Sequence, residues 1–278
     1  MGWAMIGRMD LPPQRLAALL EPVLAIARAA GREIMSHYSG EVATTRKDDD
    51  SPLTAADLAA QRVIIAGLTA LQPRLPVLSE ESAPDGLAHR RDWRQLWLVD
   101  PLDGTREFLK RNGEFTVNIA LVHQHEPVLG VVSAPALGLD YYGARGVGAW
   151  RSVPGGAPEP LRPTRPAAAR TRVLGSRSHR GESLDALLAR LGDHELVAIG
   201  SALKFGWLAE GRADFYPRLS PTSEWDTGAG QAVLEAVGCR VVGLDGKPLR
   251  YNERDTLLNP SFLCWADDSR DWRALARP

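Results

Sequence analysis

The 278-residue chain reads as a layered α/β (α+β) protein, an antiparallel sheet in its first half followed by a smaller α/β half. Three patterns carry that reading. Between residues 115 and 150 the apolar runs FTVNIALV, PVLGVVSAP, LDYYGA and GAW are joined by tight-turn residues, the grammar of consecutive antiparallel strands. Further on, RVLGS, LVAIG and RVVGL alternate with the helical runs SLDALLARLG, ALKFGWLAEG and TGAGQAVLEAVG, which predicts α/β layers. Between these halves lies a Pro-, Gly- and Ala-rich stretch, Pro154 to Pro166, the expected boundary between a sub-domain of residues 1–160 and one of residues 161–278.

Composition narrows the class. With 44% hydrophobic and 24% charged residues the chain has the profile of an ordinary soluble globular protein, long enough for one large or two medium cores. A formal net charge of −1 argues against broad binding to nucleic acid or anionic lipid, so any affinity for phosphate must be local. No membrane span stands out, and MGWAMIGRMD is too short and too lightly charged for a secretory signal, with Met5 and Met9 as alternative starts. Cys239 and Cys264 sit in apolar runs without metal-ligand spacing and read as reduced core thiols, pointing to a cytoplasmic protein.

In chain order, Leu16, Leu20, Val23, Ala27 and Ile34 share one helical face, with Pro22 predicting a break or a late start. A short β-like run follows Gly40. The triplet Asp48 to Asp50 then reads as a solvated loop, or as a mobile acidic loop able to approach bound metal. Thr54 and Asp57 fit a capping box that opens the helix over TAADLAAQRVIIAGLTAL. Leu75 to Leu78 form a strand that ends at Glu80 and Glu81. The same strand-then-carboxylate order recurs in QLWLVDPLDGT, where Pro101 blocks continuation of the strand and keeps Asp100 out of the α region. Asp100 and Asp103 must therefore converge from a bend. Gly104 permits close approach of a ligand, and Thr105 opens a helix over REFLKR. Carboxylates beside such a helix start imply a divalent cation bridging to phosphate. Asp226 is placed as the N-cap of the last helix, and the polar tail WADDSRDWRALARP is assigned no function.

WLVDPLDGTREF at 97–108, taken with SPLTAAD at 51–57, LSEES at 78–82 and SEWDTGAGQAVLEAVG at 223–238, resembles the lithium-sensitive, magnesium-dependent phosphatase superfamily that includes inositol monophosphatase. DPLDGTREFLKRNGEFTVNIALV at 100–122, SRSH at 176–179, GSALKF at 200–205 and YPRLSPTSEWD at 216–226 are similar, within it, to the bacterial 3′(2′),5′-bisphosphate nucleotidases of the CysQ type. The resemblance runs from about Leu19 to Phe262. It implies an αβαβα sandwich with a metal-binding first half and a substrate-binding second half. It also implies two or three Mg²⁺ per site. Glu80, Asp100 and the main-chain carbonyl of Leu102 would hold one, and Asp100, Asp103 and Asp226 a second. Four carboxylates against two divalent ions leave a near-neutral cage that a phosphate dianion can enter.

By the same resemblance Asp57, Thr105 and Glu80 are catalytic, with Asp57 and Thr105 accepting a proton from the attacking water in a two-metal displacement. The cleaved phosphate would meet Leu102, Asp103, Gly104, Thr105 and Asp226, while Ser176, Arg177, His179, Ser201, Lys204 and Arg218 would contact the second phosphate and the adenosine. Read without the resemblance, Asp57 is half of a helix cap, and Lys204 and Arg218 are solvated surface charges. The implied reaction converts adenosine 3′,5′-bisphosphate to AMP and phosphate, with 3′-phosphoadenylyl sulfate as a second substrate. The implied partner is that small nucleotide and not nucleic acid, with peripheral inner-membrane association left open. The rivals are an inositol monophosphatase or related sugar phosphatase, and a catalytically silent metal–phosphate binding protein. Two residues depart from the family pattern: Gly228, expected to loosen its helix turn by up to about 1 kcal/mol, and Gln231, which puts nearby base contacts in doubt.

Overall fold

The computed structural model describes residues 11–38, 44–46, 52–82, 87–163, 165, 167, 169–177, 181–268 and 270–276. Asp48 to Asp50 and His179 lie outside them. The chain begins with α1 (Pro13–Tyr38), the β1 (Thr44–Arg46) and β2 (Pro52–Thr54) hairpin, α2 (Ala55–Ala70) and β3 (Val77–Ser79). β4 (Gln95–Asp103), α3 (Thr105–Leu109) and the meander β5 (Thr116–His123), β6 (Glu126–Ala134), β7 (Leu139–Ala144), β8 (Gly148–Ser152) and β9 (Glu159–Pro160) follow. The second half runs β10 (Thr171–Ser176), α4 (Glu182–Leu191), β11 (His194–Ile199), α5 (Leu203–Ala209), β12 (Phe215–Arg218), α6 (Glu224–Ala236), β13 (Arg240–Gly243) and β14 (Phe262–Trp265).

Among the described residues β3 to β9 form one sheet in chain order, parallel only between β3 and β4, and β11-β10-β12-β14-β13 form the other. The alternation of strand side chains assigns the layers. On β4, Trp97 and Val99 face a core shared with α1 and α2, while Leu96 and Leu98 face one shared with α5 and α6. On β12 and β14, Tyr216, Phe262 and Cys264 join that same α5–α6 core, while Phe215, Leu263 and Trp265 pack under α4. The order is therefore α1/α2, seven-stranded sheet, α5/α6, five-stranded sheet, α4: the αβαβα sandwich. The chain crosses from one sheet to the other between Pro160 and Thr171, and α5 and α6 share one apolar core with both.

Several local expectations are corrected. Pro22 sits inside an unbroken α1, whose buried stripe adds Leu24, Ala30 and Gly31 to the face read from the sequence. The C-terminal tail, polar in sequence, still contributes to the core: Trp272 is 1% exposed and stacks on Phe215 with ring centroids 4.7 Å apart. Gly228 does not loosen α6; a Cβ there would lie 2.9 Å from Leu98 Cδ2, so glycine lets the helix lie directly on β4. Both cysteines are free and buried, and burial pushes the Cys239 thiol up to about 12. No helix among the described residues is long and apolar enough to cross a membrane.

Candidate active site

The site grows from the end of β4. Asp100 continues the alternation that points Leu96 and Leu98 at α6. The strand does not stop at Asp100, contrary to the expectation from Pro101. It continues to Asp103, but the pairing with β5 slips, so that Asp100↔Asn118 is followed by Asp103↔Thr116, three steps against two. This bulge absorbs a proline that has no N–H to give the ladder. Leu102 N donates to Asp100 Oδ1 at 3.0 Å, and the Thr105 hydroxyl approaches the Leu102 carbonyl at 3.4 Å. Gly104 follows at φ +90°, where a side chain would be strained.

Glu80 leaves β3 beside β4, its N–H donating to the Val99 carbonyl at 3.1 Å and its carboxyl hydrogen-bonding Asp100. Asp226 arrives from the other core layer. It is the third residue of α6 rather than the N-cap, which is Ser223; Asp226 Oδ2 accepts Ser223 N at 2.8 Å. Carboxylate oxygens of Asp100, Asp103 and Asp226 lie within 4.8 Å of one another. Burial, and then repulsion from Glu80, Asp103 and Asp226, drives Asp100 well above the ordinary carboxylate range. Asp226 is pushed up likewise by burial and by Asp103. Asp103 is raised by burial against the opposing pull of Lys204 and Asn118. Four hard-oxygen donors that repel one another, Asp100 buried and the other three half-buried, fit a divalent cation such as Mg²⁺ and offer nothing to a soft metal.

The cluster opens on a cleft of about 220 Å³ lined by Gly104, Thr105, Ser176, Ser201, Lys204 and Arg218 as well as by Asp103 and Asp226. Lys204 is not a solvated surface charge. It is 4% exposed, Nζ donates to the carbonyls of Ile199 (3.2 Å) and Ser201 (2.5 Å), and burial lowers its pKa to about 8. Arg218 donates from Nη2 to the Pro221 carbonyl at 3.0 Å, while its buried Nε has no partner among the described residues. Such an orphaned donor in a cleft suits an anion.

Residues 16–274 match the profile of the inositol monophosphatase family. The chain belongs to that family. It is 51% identical to the 3′(2′),5′-bisphosphate nucleotidase CysQ of Salmonella typhimurium over 88% of this chain and 98% of the relative. The CysQ of Escherichia coli K12 is 49% identical over the same shares. Among solved structures, CysQ from Bacteroides thetaiotaomicron, described as a bacterial member of the family, superposes with a TM-score of 0.79 at 40% identity, covering 90% of this chain and 97% of that one.

Within this inositol monophosphatase-family site the remaining sequence candidates divide. Asp57 is 2% exposed and sits in the expected capping box, its Oδ2 accepting Thr54 N (2.8 Å) and Thr54 Oγ1 (2.6 Å). β2, which delivers this box, packs against α3, which begins at Thr105. Arg177 does not line the cleft; it forms a two-pronged ion pair with Glu114. Gln231 is 1% exposed, accepts the Tyr251 hydroxyl at 2.7 Å and donates to Glu235 at 2.8 Å, so it belongs to a buried polar network and not to base contacts. Sequence reasoning missed Glu224, fully buried, which accepts Asn252 N at 2.6 Å and pins the loop after β13 to the start of α6. Its one local signal is its place next to Trp225-Asp226 in the motif.

Proposed function

We propose that this chain is a magnesium-dependent 3′(2′),5′-bisphosphate nucleotidase that hydrolyses adenosine 3′,5′-bisphosphate to AMP and phosphate. The supporting observation is the juxtaposition of an acidic cluster with a basic wall in one cleft: Asp100, Asp103 and Asp226 at one end, Lys204 and Arg218 along the side. A monophosphate needs only the first; a bisphosphate uses both. The names of the CysQ relatives point to the same substrate class.

Glu80, Asp100, the Leu102 carbonyl, Asp103 and Asp226 would hold the cations. Bound divalent ions supply positive charge that favours water as a nucleophile and the ribose oxygen as a leaving group. Gly104, at a left-handed backbone position that a side chain would strain, turns the chain from the cluster to Thr105, and both face the cleft where the phosphate would sit. Thr105 positions the attacking water, and Asp57 receives its proton, its carboxylate already oriented by Thr54. Lys204 and Arg218 balance the charge of the phosphate that is not cleaved.

The substrate assignment is tested by comparing kcat/KM on adenosine 3′,5′-bisphosphate and on inositol 1-phosphate at saturating Mg²⁺. The nucleotide should be preferred by at least about tenfold, the worth of one charge-assisted contact. Preference for inositol 1-phosphate would favour the sugar-phosphatase rival.

A further inference from the structure

Three bonds converge on the side chain of Glu114, a residue outside the acidic cluster and four positions beyond Lys110. Arg177 Nε donates to Oε2 at 2.6 Å and Arg177 Nη2 to Oε1 at 2.7 Å, a parallel fork that fixes both planes. Gly200 N donates to Oε2 at 2.8 Å. Arg177 Nη2 also donates to the Ala198 carbonyl at 2.8 Å, so the end of β11 is held by the same guanidinium. The backbone closes the arrangement. The Glu114 carbonyl oxygen lies 3.1 Å from where a Cβ on Gly104 would sit, and 2.7 Å from one on Gly200.

What these bonds hold is the cleft wall. Ser176, next to Arg177, lines it, as do Gly200 and Ser201. Ser201 has φ +46°, a conformation that a non-glycine residue keeps only when its surroundings impose it. The preceding N–H is fixed by Glu114, and the Ser201 carbonyl in turn receives Lys204 Nζ. A solitary exposed ion pair would contribute little. Here one of the donors is a backbone amide, and both anchored segments come from the second half of the chain.

We infer that Glu114 is a positioning residue that fastens the substrate-facing wall, Ser176–Arg177 and Gly200–Ser201, to the loop following the acidic cluster, and that Arg177 works as its partner rather than as a direct contact of the substrate. This rests on the nucleotidase reading above. Truncating the Glu114 side chain leaves its carbonyl against Gly104, so the effect should fall on the wall more than on the cluster.

The experiment compares the parent, Glu114→Ala, Arg177→Ala and the double variant on adenosine 3′,5′-bisphosphate and on p-nitrophenyl phosphate. Calorimetric titrations with AMP and with inorganic phosphate accompany the kinetics. Glu114→Ala should lower kcat/KM for the bisphosphate by about tenfold more than for the small ester, chiefly through KM, and should weaken AMP more than inorganic phosphate. The double variant should be no worse than the poorer single one, because both remove the same clamp. Glu114→Gln, which keeps the volume and an acceptor oxygen, should fall between parent and Ala, and it carries the comparison if Glu114→Ala does not fold. Additive losses in the double variant would make Arg177 a direct contact and overturn the inference, as would equal losses on both substrates or none. A parent that hydrolyses p-nitrophenyl phosphate but not the bisphosphate overturns the nucleotidase reading as well; a parent active on both, with variants that do not discriminate, overturns only the role of Glu114.

Discussion

Asp57 and Asp226 occupy the same place in two helices, the third residue of a capping box whose cap is Thr54 in α2 and Ser223 in α6. In each box the bonds from the cap end on one oxygen, Oδ2. The TAAD box is legible because its signal is local, whereas SEWD has the same spacing, yet its sequence alone suggests Asp226 as the cap and the structure makes it the third helical residue. Asp57→Asn separates capping from proton transfer. The amide can still accept the cap bonds, so loss of stability should be about 1 kcal/mol or less, while turnover should fall by about 10²–10⁴-fold if Asp57 is the base. A melting curve and a kcat measured side by side decide it, and parental turnover with a lowered melting temperature would leave only the cap. Glu235 tests a different kind of residue. Burial raises its carboxyl from an ordinary value near 4.5 to about 7, despite the bond from Gln231. The folded chain therefore keeps a proton that the unfolded chain has lost between those values, and stability falls as pH rises through that window. Glu235→Gln should remove the dependence, its advantage over the parent growing from pH 4.5 to 7 by at most about 3 kcal/mol and then levelling. Urea unfolding at pH 5 and pH 8 reads this out, and an advantage that does not grow with pH would contradict it.

The glycines of α6 are the element-scale counterpart. From the sequence they look like weak points in a helix, since the cost of glycine is local and its benefit is not. A Cβ on Gly228 would lie 2.9 Å from Leu98 Cδ2, one on Gly230 2.3 Å from the Phe205 ring, and one on Gly130 of β6 2.1 Å from the Ala229 carbonyl oxygen, so only glycine lets helix and sheet come this close. Gly230→Ala should lower stability by about 1–3 kcal/mol despite a helix-propensity gain of about 1 kcal/mol, and Gly228→Ala by less because the far end of a leucine can move. Denaturant midpoints of the two variants should rank in that order; a stabilised Gly230→Ala would mean that α6 does not press on α5. The meander and the strand–helix alternation of the second half were legible because period-2 and period-3.6 patterns are properties of contiguous residues. β12 and β14 were not assigned, because what marks them is pairing with each other across more than forty residues, and with β10 and β13, rather than a pattern of contiguous residues. Glu114 escaped notice for the same reason, since its partners are 63 and 86 positions away.

At the scale of the molecule, the acidic cluster draws Glu80, Asp100 and Asp103 from the rim of the seven-stranded sheet and Asp226 from the helical layer between the sheets. The cleft therefore lies where the two halves of the chain meet, and the layers must be assembled for the carboxylates to gather. Four mutually repelling carboxyls make the cation-free protein less stable than the loaded one. Mg²⁺ at about a hundred times its dissociation constant should add about 2.7 kcal/mol, seen as a rise in melting temperature at pH 7 that Asp103→Asn diminishes. An equal rise in that variant would place the cations elsewhere. The most direct measurement is phosphate release from adenosine 3′,5′-bisphosphate by protein stripped exhaustively with chelator and then titrated with Mg²⁺. The account predicts no turnover when stripped, full recovery with Mg²⁺, and a loss of roughly a thousandfold in Asp103→Asn. Undiminished release after chelation, or an Asp103→Asn variant within tenfold of the parent, would contradict it.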